Sequence, residues 1–160
     1  RSPEGRFEFI DIDNSFDVVV DYAHSPDGIR VVGKEARFIA QQNNGRLLMC
    51  FGCGGDRDRL KRKIMAQEAC AVADYVVITQ DNPRTESPDQ IVGDILMGMD
   101  ENMEYKVVHD RQDAIETVLN LARPNDVVLI AGKGHEDYQI IGTDRIYFKD
   151  KDVVLKWAGK

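Results

Sequence analysis

Several things are scarce in this sequence, and each scarcity excludes a class. Its three cysteines, Cys50, Cys53 and Cys70, are too few and odd in number for a disulfide framework, which points to a reducing, cytoplasmic setting. No apolar run approaches the roughly 20 residues of a membrane-spanning helix, and no basic-then-apolar segment opens the chain, so no membrane insertion and no secretory leader are expected. Basic residues are outnumbered, with Lys+Arg at 21 against 28 Asp+Glu and a net charge of −7. That balance argues against a nucleic-acid or anionic-membrane binder, since both need a basic surface, but it leaves room for a local basic pocket. Nothing reads G-x-x-x-x-G-K-[ST] or G-x-G-x-x-G. His24, His109 and His135 lack metal-ligand spacing, and His135-Glu136 lacks the second histidine of an H-E-x-x-H helix, so no metal site is expected here. The chain also opens Arg1-Ser2-Pro3-Glu4-Gly5 without a methionine, and so reads as a segment of a longer protein.

The 160 residues, 42% apolar and 31% charged, suit a single globular domain with a core of its own. Short β-branched runs alternate with helical patterns, the signature of parallel α/β architecture. Arg6–Ile12 alternates at period two, and with Val18-Val19-Val20 reads as an opening hairpin. Leu47–Phe51, Tyr75–Ile78 and Val127–Ala131 are continuous apolar runs suited to strands buried on both faces. Tyr105–Val108 is a weaker strand. Ile140-Ile141 and Ile146–Phe148 read as a closing hairpin about Gly142-Thr143-Asp144. Helical stripes run through Ile29, Val32, Ala36, Ile39 and Ala40; through Leu60, Ile64, Ala69 and Val72; through Ile91, Val92, Ile95, Leu96 and Met99; and through Ala114, Ile115, Val118, Leu119 and Ala122. Ser87-Pro88 and Asp110 stand where caps belong, and a tail helix begins at Asp150. The expected fold is a Rossmann-like, mostly parallel sheet flanked by helices, with antiparallel hairpins at its ends.

Four strands run directly into polar segments bearing glycine or proline: Asp21–Pro26, Gly52–Asp58, Gln80–Thr85 and Gly132–Asp137. Ligands bind at the carboxyl ends of strands in open parallel sheets, so four such loops converge on one site. They supply Arg57 and Arg84 together with Asp56, Asp81 and Glu136. Guanidinium forks suit carboxylates and carboxylates suit ammonium groups, so a pocket with both fits a zwitterion such as an amino acid. The same charges could equally be ion pairs between neighbouring surface loops. Gly52-Cys53-Gly54-Gly55 and Gly132-Lys133-Gly134 could cradle an anion with exposed N–H groups and a lysine, or could simply end strands in tight turns. Cys50-x-x-Cys53 has redox spacing but straddles a strand end, so no redox chemistry is expected.

Taken together, Asp21-Tyr22-Ala23-His24-Ser25-Pro26, Phe51–Asp58, Asp81-Asn82-Pro83-Arg84 and Gly132–Asp137 resemble, in order and spacing, the C-terminal domain of the Mur ligases. The resemblance covers essentially residues 1–160 and is nearest to the diaminopimelate-adding branch. It implies one domain of a larger ATP-dependent amide-forming ligase of peptidoglycan synthesis. Such an enzyme phosphorylates the D-glutamate carboxylate of UDP-MurNAc-L-Ala-D-Glu, and the amine of meso-diaminopimelate then attacks the acyl phosphate. The family's N-terminal UDP-binding domain and its central ATPase domain, with P-loop and carbamylated lysine, have no counterpart here. The resemblance therefore implies that ATP and Mg²⁺ are held mainly by the missing central domain, that no catalytic residue lies on this segment, and that the segment alone is inactive.

Carried over residue by residue, Asp81, Asn82 and Arg84 match the amino-acid specificity motif. Arg57, Gly132 and Glu136 match other positions that contact meso-diaminopimelate. Arg6 matches an inter-domain entry motif whose arginine contacts ATP, and Asp21, Tyr22 and His24 match the nucleotide-facing segment. Ser25 departs from the Thr or Asn usual there. Arginines at 57 and 84 favour a substrate with a second carboxylate, since lysine would leave their donors without partners, and lysine-adding relatives differ at the position of Arg84. The alternatives are the same domain in a lysine-adding, folylpolyglutamate or cyanophycin type of ligase, or a non-catalytic module binding a zwitterion or a nucleotide.

Overall fold

A computed structural model describes residues 3–160. Along them run β1 (Glu8–Phe9), β2 (Asp17–Asp21), α1 (Pro26–Gln42), β3 (Leu47–Cys53), α2 (Leu60–Val72), β4 (Tyr75–Gln80), α3 (Pro88–Leu96), β5 (Glu104–Val107), α4 (Arg111–Leu121), β6 (Val127–Ala131), β7 (Tyr138–Ile141), β8 (Asp144–Tyr147) and α5 (Asp150–Trp157). The main sheet has the order β1-β2-β6-β3-β4-β5. Only β1 runs antiparallel, pairing Glu8 with Val20 and Phe9 with Val19; the other pairings are parallel. The opening hairpin is thus present. The closing hairpin, β7 with β8, forms a separate two-stranded sheet instead of extending the first.

Period-two alternation sorts each central strand between two cores. Leu47, Met49, Phe51 and Cys53 of β3 pack with Val19, Val76, Ile78 and Leu129 against α1, α2 and α3. Leu48 and Cys50 pack with Val18, Val20, Val77, Val128 and Ile130 against α4 and α5. Burial on both faces explains why β3 and β6 read as unbroken apolar runs. The same alternation settles the cysteine pair. Three residues apart on one strand, Cys50 and Cys53 point to opposite faces, and all three thiols are free.

Caps match the sequence in part. Ser25 accepts from the Gly28 amide at 3.0 Å and Asp110 from the Asp113 amide at 2.9 Å, while Pro26 and Pro88 open α1 and α3. Ser87 makes no side-chain cap bond. The stripe expected on α2 is also displaced. Leu60 and Ile64 are exposed, and the buried face carries Arg62, Met65, Ala66 and Ala69. The helix turns its arginine inward because Glu86 and Asp94 wait there, at 2.6 and 3.0 Å from Arg62 Nη1.

Candidate functional site

The topology aligns four carboxyl strand ends. After α4 the chain returns to insert β6 between β2 and β3, in parallel register with both. The ends of β2, β6, β3 and β4 are therefore neighbours, and their loops enclose a cleft of about 490 Å³. Its lining includes Arg57, Asp81, Asn82, Arg84, Gly132 and Glu136, together with Tyr22 and His24. The six residues matched to the amino-acid site are thus brought together. Arg6 and Asp21 lie outside the lining. Arg6 stacks its guanidinium 5.4 Å from the Tyr22 ring centre, and Tyr22 packs against His24 and His135 at ring separations of 4.6 and 6.0 Å. Asp21 is buried, and its two oxygens accept from the Phe7 and Ala23 amides, each at 2.7 Å. That carboxylate ties the backbone at Phe7 to the β2 loop.

The Asp81–Arg84 loop is clipped from behind by the second sheet. Arg84 N donates to Ile140 O at 3.0 Å, and Gly142 N donates to Arg84 O at 2.7 Å. Gln139 Nε2 donates to Asp81 O at 2.8 Å, and Ile140 N to Asn82 Oδ1 at 3.0 Å. Arg84 itself sits at φ +53°, a left-handed backbone that these bonds hold in place. On the other side, Arg62 anchors the β3 loop through Gly54 O at 2.9 Å while gripping Glu86 twice. These bonds hold the Glu86 carboxyl below its usual range. A side chain on Gly55 would meet Pro83 O at 1.8 Å, so only glycine lets the β3 and β4 loops touch.

Charge in the cleft is divided. Among the described residues the side chains of Arg57 and Arg84 bond only to backbone carbonyls, Arg57 to Asp56 O and Arg84 to Gly55 O and Asn82 O. Among the described residues neither has a carboxylate partner, so the loop-to-loop ion pairs that the sequence allowed are not formed, and both forks keep donors for a ligand. The acidic side is different. Lys133, which one of the two readings of its glycine loop placed in an anion cradle, is fully buried. Its Nζ lies 3.1 Å from Asp81 Oδ1, 2.9 Å from Asn82 Oδ1 and 3.4 Å from Glu136 Oε1. Glu136 Oε2 accepts from the Tyr138 hydroxyl at 3.2 Å. Gly132 holds φ +123°, and a Cβ there would lie 3.2 Å from Asp81 Oδ2. Beneath the site, the wholly buried Arg111 donates to Gln80 O at 2.9 Å and Ala131 O at 3.3 Å, and pairs with Asp150 at 2.8 and 2.9 Å.

Arg62, Arg111 and Gln139 were not expected as site residues, and Lys133 entered only in the anion-cradle reading of its glycine loop. The periodicity did not mark these polar side chains as buried; their partners across the fold do. No three His, Cys, Asp or Glu side chains among the described residues are grouped to hold a metal ion. Among the described residues no helix is long and apolar enough to cross a membrane.

Comparison with known proteins gives a consistent result. The family model "Mur ligase, glutamate ligase domain" matches residues 5–134. A UDP-N-acetylmuramoyl-L-alanyl-D-glutamate–2,6-diaminopimelate ligase of Fusobacterium nucleatum is 48% identical over 156 residues, 98% of this chain and 32% of that protein. The enzyme of the same name from Synechocystis is 50% identical over 151 residues, 92% of this chain and 29% of that protein. The chain thus spans roughly a third of the length of these curated relatives, 32% and 29%. A solved structure of a ligase of that name superposes with a TM-score of 0.88 at 41% identity, over 99% of this chain and 32% of that one. E. coli FolC in complex with ADP shares the fold, with a TM-score of 0.61 at 21% identity over 81% of this chain and 28% of that one.

Proposed function

This chain belongs to the Mur ligase family, whose glutamate ligase domain it carries, and from that membership we propose that it is the amino-acid-binding domain of an ATP-dependent ligase that adds meso-diaminopimelate to UDP-MurNAc-L-Ala-D-Glu. The observation that carries the reading is the pairing state of the cleft. Two guanidinium groups without carboxylate partners among the described residues share the cleft with the carboxylates of Asp81 and Glu136. A diamino dicarboxylic acid complements that pattern: its carboxylates satisfy Arg57 and Arg84, and its ammonium groups meet Asp81 and Glu136. A mono-carboxylate such as lysine would leave one fork unpaired in a partly enclosed site.

ATP, as co-substrate, would supply the phosphoryl group that activates the acceptor carboxylate. The exposed cluster of Arg6, Tyr22 and His24 fits a nucleotide, offering a cation and stacking faces beside the cleft. Asp21 would act there through the backbone it ties down. Mg²⁺ and most of the triphosphate would be held by the other domains of the ligase. This chain's own part is to bind, orient and select the incoming amino acid, so the 160 residues alone are expected to bind without ligating. The three free thiols suit work in the cytoplasm.

The test is a titration of the ¹⁵N-labelled chain with meso-diaminopimelate and with L-lysine, repeated on Arg84→Ala. Shifts at Arg57, Asp81–Arg84 and Gly132–Glu136 with diaminopimelate, and weakening by about 1.5–3 kcal/mol in the variant, are expected for loss of a charge-assisted fork. Equal affinity of the two chains for diaminopimelate would refute the assignment of Arg84, and preference for lysine would refute the substrate.

A further inference from the structure

Lys133 is an unusual residue to find under an amino-acid site. It leaves the carboxyl end of β6 between Gly132 and Gly134, and its side chain is fully buried. It is not among the residues that line the cleft, so it does not reach a ligand. All three acceptors of its ammonium group, Asp81, Asn82 and Glu136, do line the cleft. Tyr138 packs over it, with Nζ 5.4 Å from the ring centre, and the Arg145 guanidinium covers that ring at 3.8 Å. A buried ammonium loses hydration that its partners must replace, and here three bonds to three acceptors do so.

Resting on the function proposed above, we propose that Lys133 is the positioning residue of the amino-acid site, setting both the charge and the polarity that the cleft presents. Two consequences follow from the geometry. Asp81 and Glu136 together carry two negative charges around one nitrogen, and Lys133 leaves a net charge of one on that side. A dicarboxylate is therefore repelled less than two bare carboxylates would repel it, while an ammonium is still attracted. Second, Asn82 Oδ1 accepts from both Lys133 Nζ and Ile140 N. That pair of donors fixes the amide with Nδ2 outward, where it has no partner among the described residues and is free to donate to a carboxylate. Lys133 thus turns a pair of acids and an amide into an acceptor for one end of a zwitterion and a donor for the other.

The experiment compares the chain with Lys133→Met and Lys133→Arg, with and without ligand. Without ligand, Lys133→Met is expected to free the Asn82 side-chain amide and speed hydrogen exchange at Ile140 N, while core amides such as Leu129 stay protected. With ligand, it is expected to lose at least tenfold in the ratio of diaminopimelate to L-lysine affinity, a change of about 1.4 kcal/mol, because lysine carries one carboxylate fewer to be repelled. Lys133→Arg, which restores the charge, is expected to recover most of that ratio. A general loss of structure would weaken both ligands alike and would not be rescued by arginine. A folded Lys133→Met with unchanged Asn82 and Ile140 signals overturns the positioning role, as does an unchanged affinity ratio. If the unaltered chain binds neither ligand, the functional reading fails, and the ligand-free arm still decides Lys133. Should Lys133→Met not fold, the ¹⁵Nζ–H signal of the unaltered chain decides instead. It is expected to exchange slowly and to shift as diaminopimelate fills the cleft, and rapid exchange would overturn the proposal.

Discussion

The Arg111–Asp150 pair lies under the whole site, and its removal is the sharpest energetic test of the structure. Both side chains have no exposure at all, at 2.8 and 2.9 Å from each other. Burial alone pulls the Arg111 guanidinium down, but the charge and hydrogen bonds of Asp150 outweigh it and hold the group above the ordinary arginine value. Arg111 also ties Gln80 O and Ala131 O, the residues just before Asp81 and Gly132, across the intervening β3. Asp150→Asn keeps the shape and removes the charge, leaving a buried cation whose counter-ion is gone; Arg111→Met leaves the converse. Each is expected to cost about 3–5 kcal/mol, a large part of the roughly 5–15 kcal/mol that a domain of this kind has. The double variant leaves no uncompensated charge, only an unpaired amide and two carbonyls at about 1–3 kcal/mol apiece. It should therefore be less destabilised than the sum of the singles by about 2 kcal/mol or more. Urea unfolding followed by Trp157, the lone tryptophan, which packs at a ring separation of 6.0 Å from Phe16, reads all four chains. The singles should also move the Asp81 and Gly132 amide resonances. Singles costing under about 1 kcal/mol, or a strictly additive double, would refute the reasoning.

Two further outcomes are expected. Glu86 is held below its usual value of 4.5 by Arg62, so its contribution is fully present above that value and is lost as pH falls through the lowered one. Acid should therefore destabilise the chain less in Glu86→Gln than in the unaltered chain, measured as the shift in urea midpoint between about pH 6 and pH 3; parallel shifts would disprove the link. Burial pushes the Cys50 and Cys53 thiols up to about 12, and they face opposite cores. Both should stay unalkylated by iodoacetamide near pH 8 until the chain unfolds, as mass spectrometry of the native protein would reveal. A Cys50–Cys53 disulfide under mild oxidation would contradict the strand geometry.

Much of the architecture was legible because it is local. The apolar runs at Leu47–Phe51 and Val127–Ala131 could be buried only on both faces, and they are. Ser25 and Asp110 cap the helices they precede. The four loops could be assigned to one edge because parallel strands share a direction. Less legible were features that depend on partners far along the chain. The α2 stripe was misplaced because Arg62 looks like a surface residue until Glu86 and Asp94, from the β4 loop and α3, arrive beside it. Ser87 looks like a cap but does not bond as one. Lys133 looks like an exposed phosphate lysine between glycines until Asp81 and Asn82 fold over it. Its length and charge are visible in one dimension, its burial is not.

The sequence by itself determined the element types, the two-core α/β class and the set of residues at the carboxyl ends of the strands, because periodicity and turn chemistry act within a few residues. The tertiary structure decided the strand order, with β6 driven between β2 and β3. It also decided which charges are paired: Lys133, Arg62 and Arg111 are satisfied inside the protein, whereas Arg57 and Arg84 have no carboxylate partner. That division rests on contacts between residues some 20 to 60 positions apart, such as Lys133 with Asp81 and Arg62 with Glu86. Whether a charge is neutralised depends on distances of a few ångströms, and only the folded chain sets those.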